Sequence, residues 1–226
     1  MAKRKLQRFA DVETFDNVAK PSMDEAIHDS FPLKGKWHQE FFKNKHPIVL
    51  ELACGKGEYT IGLAKNYPDK NFIGIDIKGN RLWHGAKYAL ENKMANVGFI
   101  RTRIDFITHL FDFGEVSEIW ITFADPQKER PRKRLTGEMF LNRYRKIMKS
   151  GGKVNLKSDS DLLYGFTKEV VADGKLKVEV DSDNIYEKLI PSIGNEPLAK
   201  DLQIQTYYEK RWLGEGKKIK FISFVP

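Results

Sequence analysis

The sequence predicts an α/β fold, a mostly parallel sheet of about seven strands with helices on both faces. Three observations carry that expectation. Short apolar runs of strand length alternate with segments of helical periodicity from Ile48 onward. Several of those runs are continuously apolar, as strands covered on both faces require. The first run stops at two glycines, Gly55 and Gly57, that lead directly into a helical stretch.

Residues 1–46 are mixed in character and read as a basic extension lying over the domain with short helical pieces. Lys3, Arg4, Lys5 and Arg8 make its start cationic, and Pro21, Pro32 and Pro47 punctuate it. Residues 47–226 read as a single domain. It opens with the strand Ile48 to Ala53, followed by a helix carrying Ile61, Leu63 and Ala64 and ending at Pro68. A second strand covers Asn71 to Ile77, and a helix over about 79–93 sets Leu82, Ala86, Ala89 and Leu90 on one face. Strands are then expected at 97–104, 118–124, 152–157 and 176–181, with helices at 105–112, 136–149 and 161–172 between them. In the helix at 136–149, Phe140, Tyr144, Ile147 and Met148 repeat at helical spacing. The run from Ile219 to Val225 is a final strand. Trp37, Trp83 and Trp120 read as core or interface anchors, and Lys153 and Lys157 as rim cations or solvent-facing strand residues.

Composition narrows the class. The 226 residues are 41% hydrophobic and 12% aromatic, which suits one large domain with a buried core and excludes wholesale disorder. No apolar stretch reaches the roughly 18 residues that a membrane span needs, and the basic start leads into no apolar signal region. No membrane association is expected. The single cysteine, Cys54, suits a reducing cytoplasm. His46, His84 and His109 have no partners at metal-ligand spacing, so no metal is expected. A net charge of +8 favours a polyanionic partner. Nothing in the sequence demands an obligatory protein partner.

The glycine turn has acidic company. Glu51 stands inside the apolar first strand, where a carboxylate is costly unless paired or serving a ligand. Asp76 ends the second strand, where an acid can accept from ribose hydroxyls. Asp105 follows the third and could lie beside an adenine. The turn lacks the full dinucleotide fingerprint and any phosphate-binding lysine motif. Glu51 and Glu58 flank it, which disfavours a pyrophosphate at the helix start and favours a cationic ligand. S-adenosyl-L-methionine, with a sulfonium, an ammonium and no phosphate, fits better than NAD.

The fourth strand runs straight into Asp125-Pro126, at the carboxyl end where open α/β sheets bind ligands. Five of the seven residues from Lys128 to Arg134 are basic, as phosphate contacts to a nucleic acid would require. The segment Phe123-Ala124-Asp125-Pro126-Gln127-Lys128-Glu129-Arg130-Pro131-Arg132-Lys133-Arg134 resembles the hallmark of the bacterial tRNA (guanine-N7-)-methyltransferase family, Phe-Pro-Asp-Pro-Trp-x-Lys-x-Arg-x-x-Lys-Arg-Arg. Asn155-Leu156-Lys157-Ser158-Asp159-Ser160 and Thr206-Tyr207-Tyr208-Glu209-Lys210-Arg211-Trp212 are similar to two further family segments, so the resemblance covers about residues 45–226.

The resemblance implies a Rossmann-like class I methyltransferase fold and transfer of a methyl group from S-adenosyl-L-methionine to N7 of a tRNA guanine, at position 46 of the variable loop. It implies that Glu51, Gly55, Gly57, Asp76, Asp105 and Asp125 form the cofactor site. Lys128, Asp159, Thr206 and Glu209 would contact the target nucleotide, and Arg130, Arg132, Lys133 and Arg134 would touch the tRNA. Asp125 and Asp159 are the catalytic candidates, holding the guanine and balancing its developing charge. Three departures stand out: Ala53 replaces a family Gly, Ala124 a Pro, and Gln127 a Trp that could stack on a base. The residues alone also allow a methyltransferase for another RNA base, a protein or a small molecule, or a non-catalytic RNA-binding protein on this fold.

Overall fold

The computed structural model describes residues 2–226. The side chains of residues 2–4 and 26 lie outside the described residues, and with them the predicted cations Lys3 and Arg4. In chain order the elements are α1 (Ala2–Thr14), β1 (Val18–Ala19), α2 (Met23–Ile27), β2 (Ile48–Leu52), α3 (Glu58–Asn66), β3 (Asn71–Asp76), α4 (Gly79–Glu91) and β4 (Val97–Arg101). They continue with α5 (Ile107–Leu110), β5 (Val116–Thr122), α6 (Glu138–Arg145), β6 (Met148–Ser158), α7 (Asp161–Asp173) and β7 (Lys177–Ser182). The chain closes with α8 (Ile190–Ile193), α9 (Pro197–Leu202), α10 (Tyr207–Gly214) and β8 (Lys220–Val225).

These strands form one eight-stranded sheet in the order β1-β4-β3-β2-β5-β6-β8-β7. Its pairs are parallel except those of β8, which runs antiparallel to both β6 and β7. Strand order reverses between β2 and β5. Alternation along the buried strands feeds two cores. Ile48, Leu50 and Leu52 of β2 join one with Phe140 and Tyr144 of α6. Val49 joins the other with Tyr59 of α3 and Leu82 of α4. The first core holds α5, α6 and α7 against one face, and the second holds α3 and α4 against the other.

The predicted doubly covered sheet is therefore present, with one strand more than expected. The extra strand comes from the amino-terminal stretch, where Val18 and Ala19 pair with Phe99 and Ile100 of β4. That stretch is knit into the domain. Trp37 is fully buried in the first core, and Trp83 of α4 donates to Asp11 of α1 at 2.8 Å. The helix expected over 136–149 stops at Arg145, and β6 begins at Met148. A register shift between Val116 and Glu118 of β5 lets Met148 and Lys153 pair on either side of a Gly151-Gly152 bulge. The helices between Ile190 and Gly214 had no sequence expectation; they are short, and tertiary contacts rather than periodicity set them.

The glycine turn is a steric contact as well as a bend. Gly57 has φ +71°, and a Cβ there would lie 2.6 Å from the Phe99 ring. A Cβ on Gly85 of α4 would lie 2.7 Å from the Lys56 carbonyl oxygen. Both residues must be glycine for α4 to close on the turn. Gly57→Ala should cost about 2–4 kcal/mol from left-handed strain plus overpacking, read by urea unfolding; a loss under 1 kcal/mol would show that the contact relaxes freely.

Candidate functional site

Three adjoining cavities lie along the carboxyl edge of the sheet at the point where strand order reverses. The first, about 460 Å³, is bounded by Ala53, Asp76, Ile104, Asp105, Gln127 and Phe140. The second is a narrow space of about 80 Å³ beside Glu51, Ala53, Gly55, Arg81, Thr206 and Tyr208. The third is a cleft of about 730 Å³ containing Phe123, Asp125, Lys128, Asp159, Tyr208 and Trp212. Ala53 borders the first two, while Phe123, Arg81 and Tyr208 border the last two.

Glu51 is buried at 2% exposure because β2 is central in the sheet. Its carboxylate accepts from the Thr60 backbone N–H at 2.8 Å, from the Thr60 hydroxyl, and from the Thr122 hydroxyl at 2.5 Å. Burial pushes it up to about 7, with the donors from Thr122 and Thr60 opposing and nearby Asp76 adding to the rise. The result is a fixed acidic floor to the small cavity. Asp76 accepts from the N–H of Gly55 at 2.9 Å and of Lys78 at 2.8 Å, which ties the glycine turn to the start of α4. Each oxygen keeps a lone pair for another donor. Burial raises Asp105, but the Arg103 guanidinium at 3.2 Å and the Lys133 ammonium at 3.4 Å outweigh it and hold the carboxyl below its ordinary value.

After β5 the chain turns abruptly. Phe123 and Gln127 both take a left-handed φ of 50°, a conformation that stores strain in residues with side chains. Asp125 lies between them, exposed, and accepts from the Gln127 N–H at 2.9 Å. Arg134 braces the turn from beneath, donating to the Pro126 carbonyl at 3.0 Å with its guanidinium 4.5 Å from the Phe166 ring centroid. Asp159 follows β6 and faces the same cleft. Its carbonyl accepts from Lys220 at 2.9 Å, and its carboxylate lies 3.6 Å from the Lys217 ammonium.

The sequence-predicted residues thus divide. Glu51, Gly55 and Asp76 gather at the turn, Asp105 with Asp76 in the first cavity, and Asp125, Lys128 and Asp159 in the cleft. Other residues of the sequence reading lie outside the cleft. Arg130 and Lys133 border the Asp76 cavity rather than the cleft. Arg134 is buried at 7% exposure, engaged with the Pro126 carbonyl and the Phe166 ring. Gln127 faces the Asp76 cavity, so the side chain at that position does not offer a stacking surface in the cleft. Glu209 has no exposed surface and cannot touch a nucleotide in this arrangement. Arg132 is exposed and borders none of the three cavities, and Gly57 serves packing.

Glu209 instead answers Lys157, which lies fully buried in β6, neither on the rim nor in solvent. The Lys157 ammonium donates to Glu209 and to the carbonyls of Leu202 at 2.7 Å and Ile204 at 3.0 Å. Tyr186 adds its hydroxyl to Glu209 at 2.8 Å. Burial pulls Lys157 down to about 8 against the opposing Glu209 charge. The pair pins the end of α9 and the start of α10 to the sheet. Thr206, the N-cap of α10, accepts from the Glu209 N–H, and Glu58 beside the glycine turn accepts from the Tyr207 N–H at 3.0 Å. Sequence reading missed Tyr208, Arg81, Lys217 and Lys218, which border the cleft from elements with no motif of their own.

Residues 45–222 match a family described as "Putative methyltransferase". A tRNA (guanine-N(7)-)-methyltransferase of Bacteroides thetaiotaomicron is 47% identical over 99% of this chain and 86% of its own length. The protein so named from Porphyromonas gingivalis is 53% identical over 86% of this chain and 77% of its own. Among solved structures, the 16S rRNA methyltransferase KamB superposes with a TM-score of 0.60 at 12% identity, covering 82% of this chain and 90% of that one, a likeness of fold.

Removing one partner of the buried pair leaves an uncompensated charge. Lys157→Met and Glu209→Gln should each cost about 3–5 kcal/mol, and the double variant clearly less than the sum in thermal and urea unfolding. Strict additivity would refute the coupling.

Proposed function

The chain belongs to the tRNA (guanine-N(7)-)-methyltransferase family, and from that premise we propose that it methylates N7 of a tRNA guanine using S-adenosyl-L-methionine. The observation that carries the proposal is the continuity of an acid-lined nucleoside cavity with a cation-rimmed cleft, joined where Phe123 and Tyr208 border both small cavity and cleft. Position 46 of the variable loop is the target that the family segments favour. A cytoplasmic setting fits the single buried thiol of Cys54.

The residues present fit the cofactor. Asp76 offers acceptors for ribose hydroxyls, and the apolar sides of Ile104 and Phe140 suit an adenine between them and Asp105. Glu51 and Glu58 beside the small cavity suit a cationic tail and oppose a pyrophosphate. When bound, S-adenosylmethionine supplies an electrophilic methyl group on a positively charged sulfur.

Guanine N7 carries an in-plane lone pair and no proton, so the chain needs no general base. Its work is positioning. Asp125 and Asp159 face the cleft as acceptors for the guanine N1–H and N2–H2 donors, and their charge offsets the positive charge that the ring gains. Lys128, Arg81, Lys217 and Lys218 border the cleft and provide cations for flanking phosphates.

The direct test incubates the protein with labelled S-adenosylmethionine and unmodified tRNA, followed by chemical cleavage at 7-methylguanosine. Cleavage at one variable-loop guanine is expected; label without such cleavage would move the target elsewhere. Asp125→Asn and Asp159→Ala should each lower kcat/KM by at least about tenfold, and wild-type rates in both would remove them from the reaction. Glu51 gives a pH test. Its raised folded value leaves it largely neutral below pH 7, and a cationic ligand favours the ionised form. Affinity for S-adenosylmethionine should therefore strengthen as pH rises through 7, by up to roughly tenfold per unit below it. Calorimetry at pH 6 and 8 reads this, and Glu51→Gln should flatten the profile.

A further inference from the structure

Four aromatic rings border the cleft or flank those that do, and three are already engaged. The Trp212 ring has the Lys217 ammonium 3.4 Å from its centroid. Tyr207 carries Lys56 at 4.4 Å. Phe123 is partly buried, with Lys157 at 5.9 Å. Tyr208 differs. It is 39% exposed, borders both the small cavity and the cleft, and among the described residues no cation sits over its ring. Tyr207 meets it in a T-shaped contact at 5.6 Å and 78°, and one such neighbour can cover no more than one face of the Tyr208 ring.

The backbone on either side of this ring is fixed with unusual completeness. The residue before it donates its N–H to Glu58 at the glycine turn. The residue after it is Glu209, locked to buried Lys157 and Tyr186. Thr206 caps the helix beneath. A flat, amphipathic surface is thereby held at the mouth between the small cavity and the cleft, a few residues from the capping turn. Gln127, which stands where the family has a Trp, faces the other cavity.

We propose that Tyr208 is the stacking platform for the target base, a substrate-positioning residue that sets the plane of the guanine so that its N7 edge turns toward the small cavity while its Watson–Crick edge meets Asp125 and Asp159. This rests on the methyl-transfer reading above. Stacking on an aromatic ring tolerates any base, so Tyr208 fixes the plane and the two carboxylates choose guanine. The phenol hydroxyl has no part in this, and the ring alone suffices.

The test compares Tyr208→Phe and Tyr208→Leu in the full chain. Loss of a base-stacking contact of about 1–3 kcal/mol corresponds to roughly a 5- to 150-fold fall in kcat/KM for tRNA. That fall is expected for Tyr208→Leu, while Tyr208→Phe stays within about twofold of wild type. Affinity for S-adenosylmethionine, by calorimetry, should be unchanged in both. As a readout that needs no turnover, tRNA carrying 2-aminopurine at the target position should fluoresce more brightly in complex with Tyr208→Leu than with wild type, because stacking quenches it. Equal emission, a wild-type rate in Tyr208→Leu, or a Tyr208→Phe protein as slow as Tyr208→Leu would each overturn the assignment. So would a loss of cofactor affinity matching the loss of rate, which would put the ring on the cofactor. Failure of the wild-type protein to make 7-methylguanosine is a different result and would strike the reaction itself.

Discussion

Everything at this site follows from one constraint on parallel sheets. Crossovers between parallel strands are right-handed, so a sheet that grows outward in both directions from a central pair must send its helices to opposite faces. Here that happens at β2 and β5, with α3 on one side and α6 on the other. No helix can cover the gap between them. Backbone turns, strand ends and their side chains converge there, and the three cavities are the space that this topology leaves open.

What fills the opening is built in two ways. Glu51, Asp76 and the glycine turn are held by short hydrogen bonds to the sheet and to α3 and α4, a preformed seat for a small ligand. The cleft has a different construction. Its floor includes the strained backbone at Phe123, its rim is cationic, and one wall, the start of α10, is tied to the sheet through the buried Lys157–Glu209 pair and to the glycine turn through Glu58. A buried Lys–Glu pair is a poor way to gain net stability, because desolvation offsets most of the attraction. It is an effective way to specify one arrangement, since each charge has few other acceptable partners in the interior.

This division explains what could be read from the sequence. Glu51 was conspicuous because an acid inside an apolar strand is costly, and Asp76 because it closes a strand beside a glycine turn. Both signals are local. The sheet was legible for the same reason, since continuous apolar runs announce buried strands. Glu209 and Arg134 were misplaced because nothing within a few residues of either tells that α9, β6 or Phe166 will bury it. Lys157 sits in an apolar strand as Glu51 does, and the same cost argument would have flagged it as paired. That the Gln127 position faces the Asp76 cavity could not be read from the sequence, because the left-handed turn there shows only in the fold. Tyr208 had no signature beyond lying between two motif residues.

The position of β8 has a consequence for biosynthesis. It is the last strand of the fold, yet it lies between β6 and β7 and is the one partner of β7 in the sheet. Until residues near Val225 have left the ribosome, β6 has an open edge and β7 has no neighbour. Lys220, which holds Asp159 by its carbonyl, is also missing until then. Glu51, Asp76 and the glycine turn are made early, but Thr122, Gln127 and Phe140, and then Thr206 and Tyr208, close the cavities around them only later. Seat and cleft therefore share their last components, and a chain that lacks α10 and β8 presents neither in its final form.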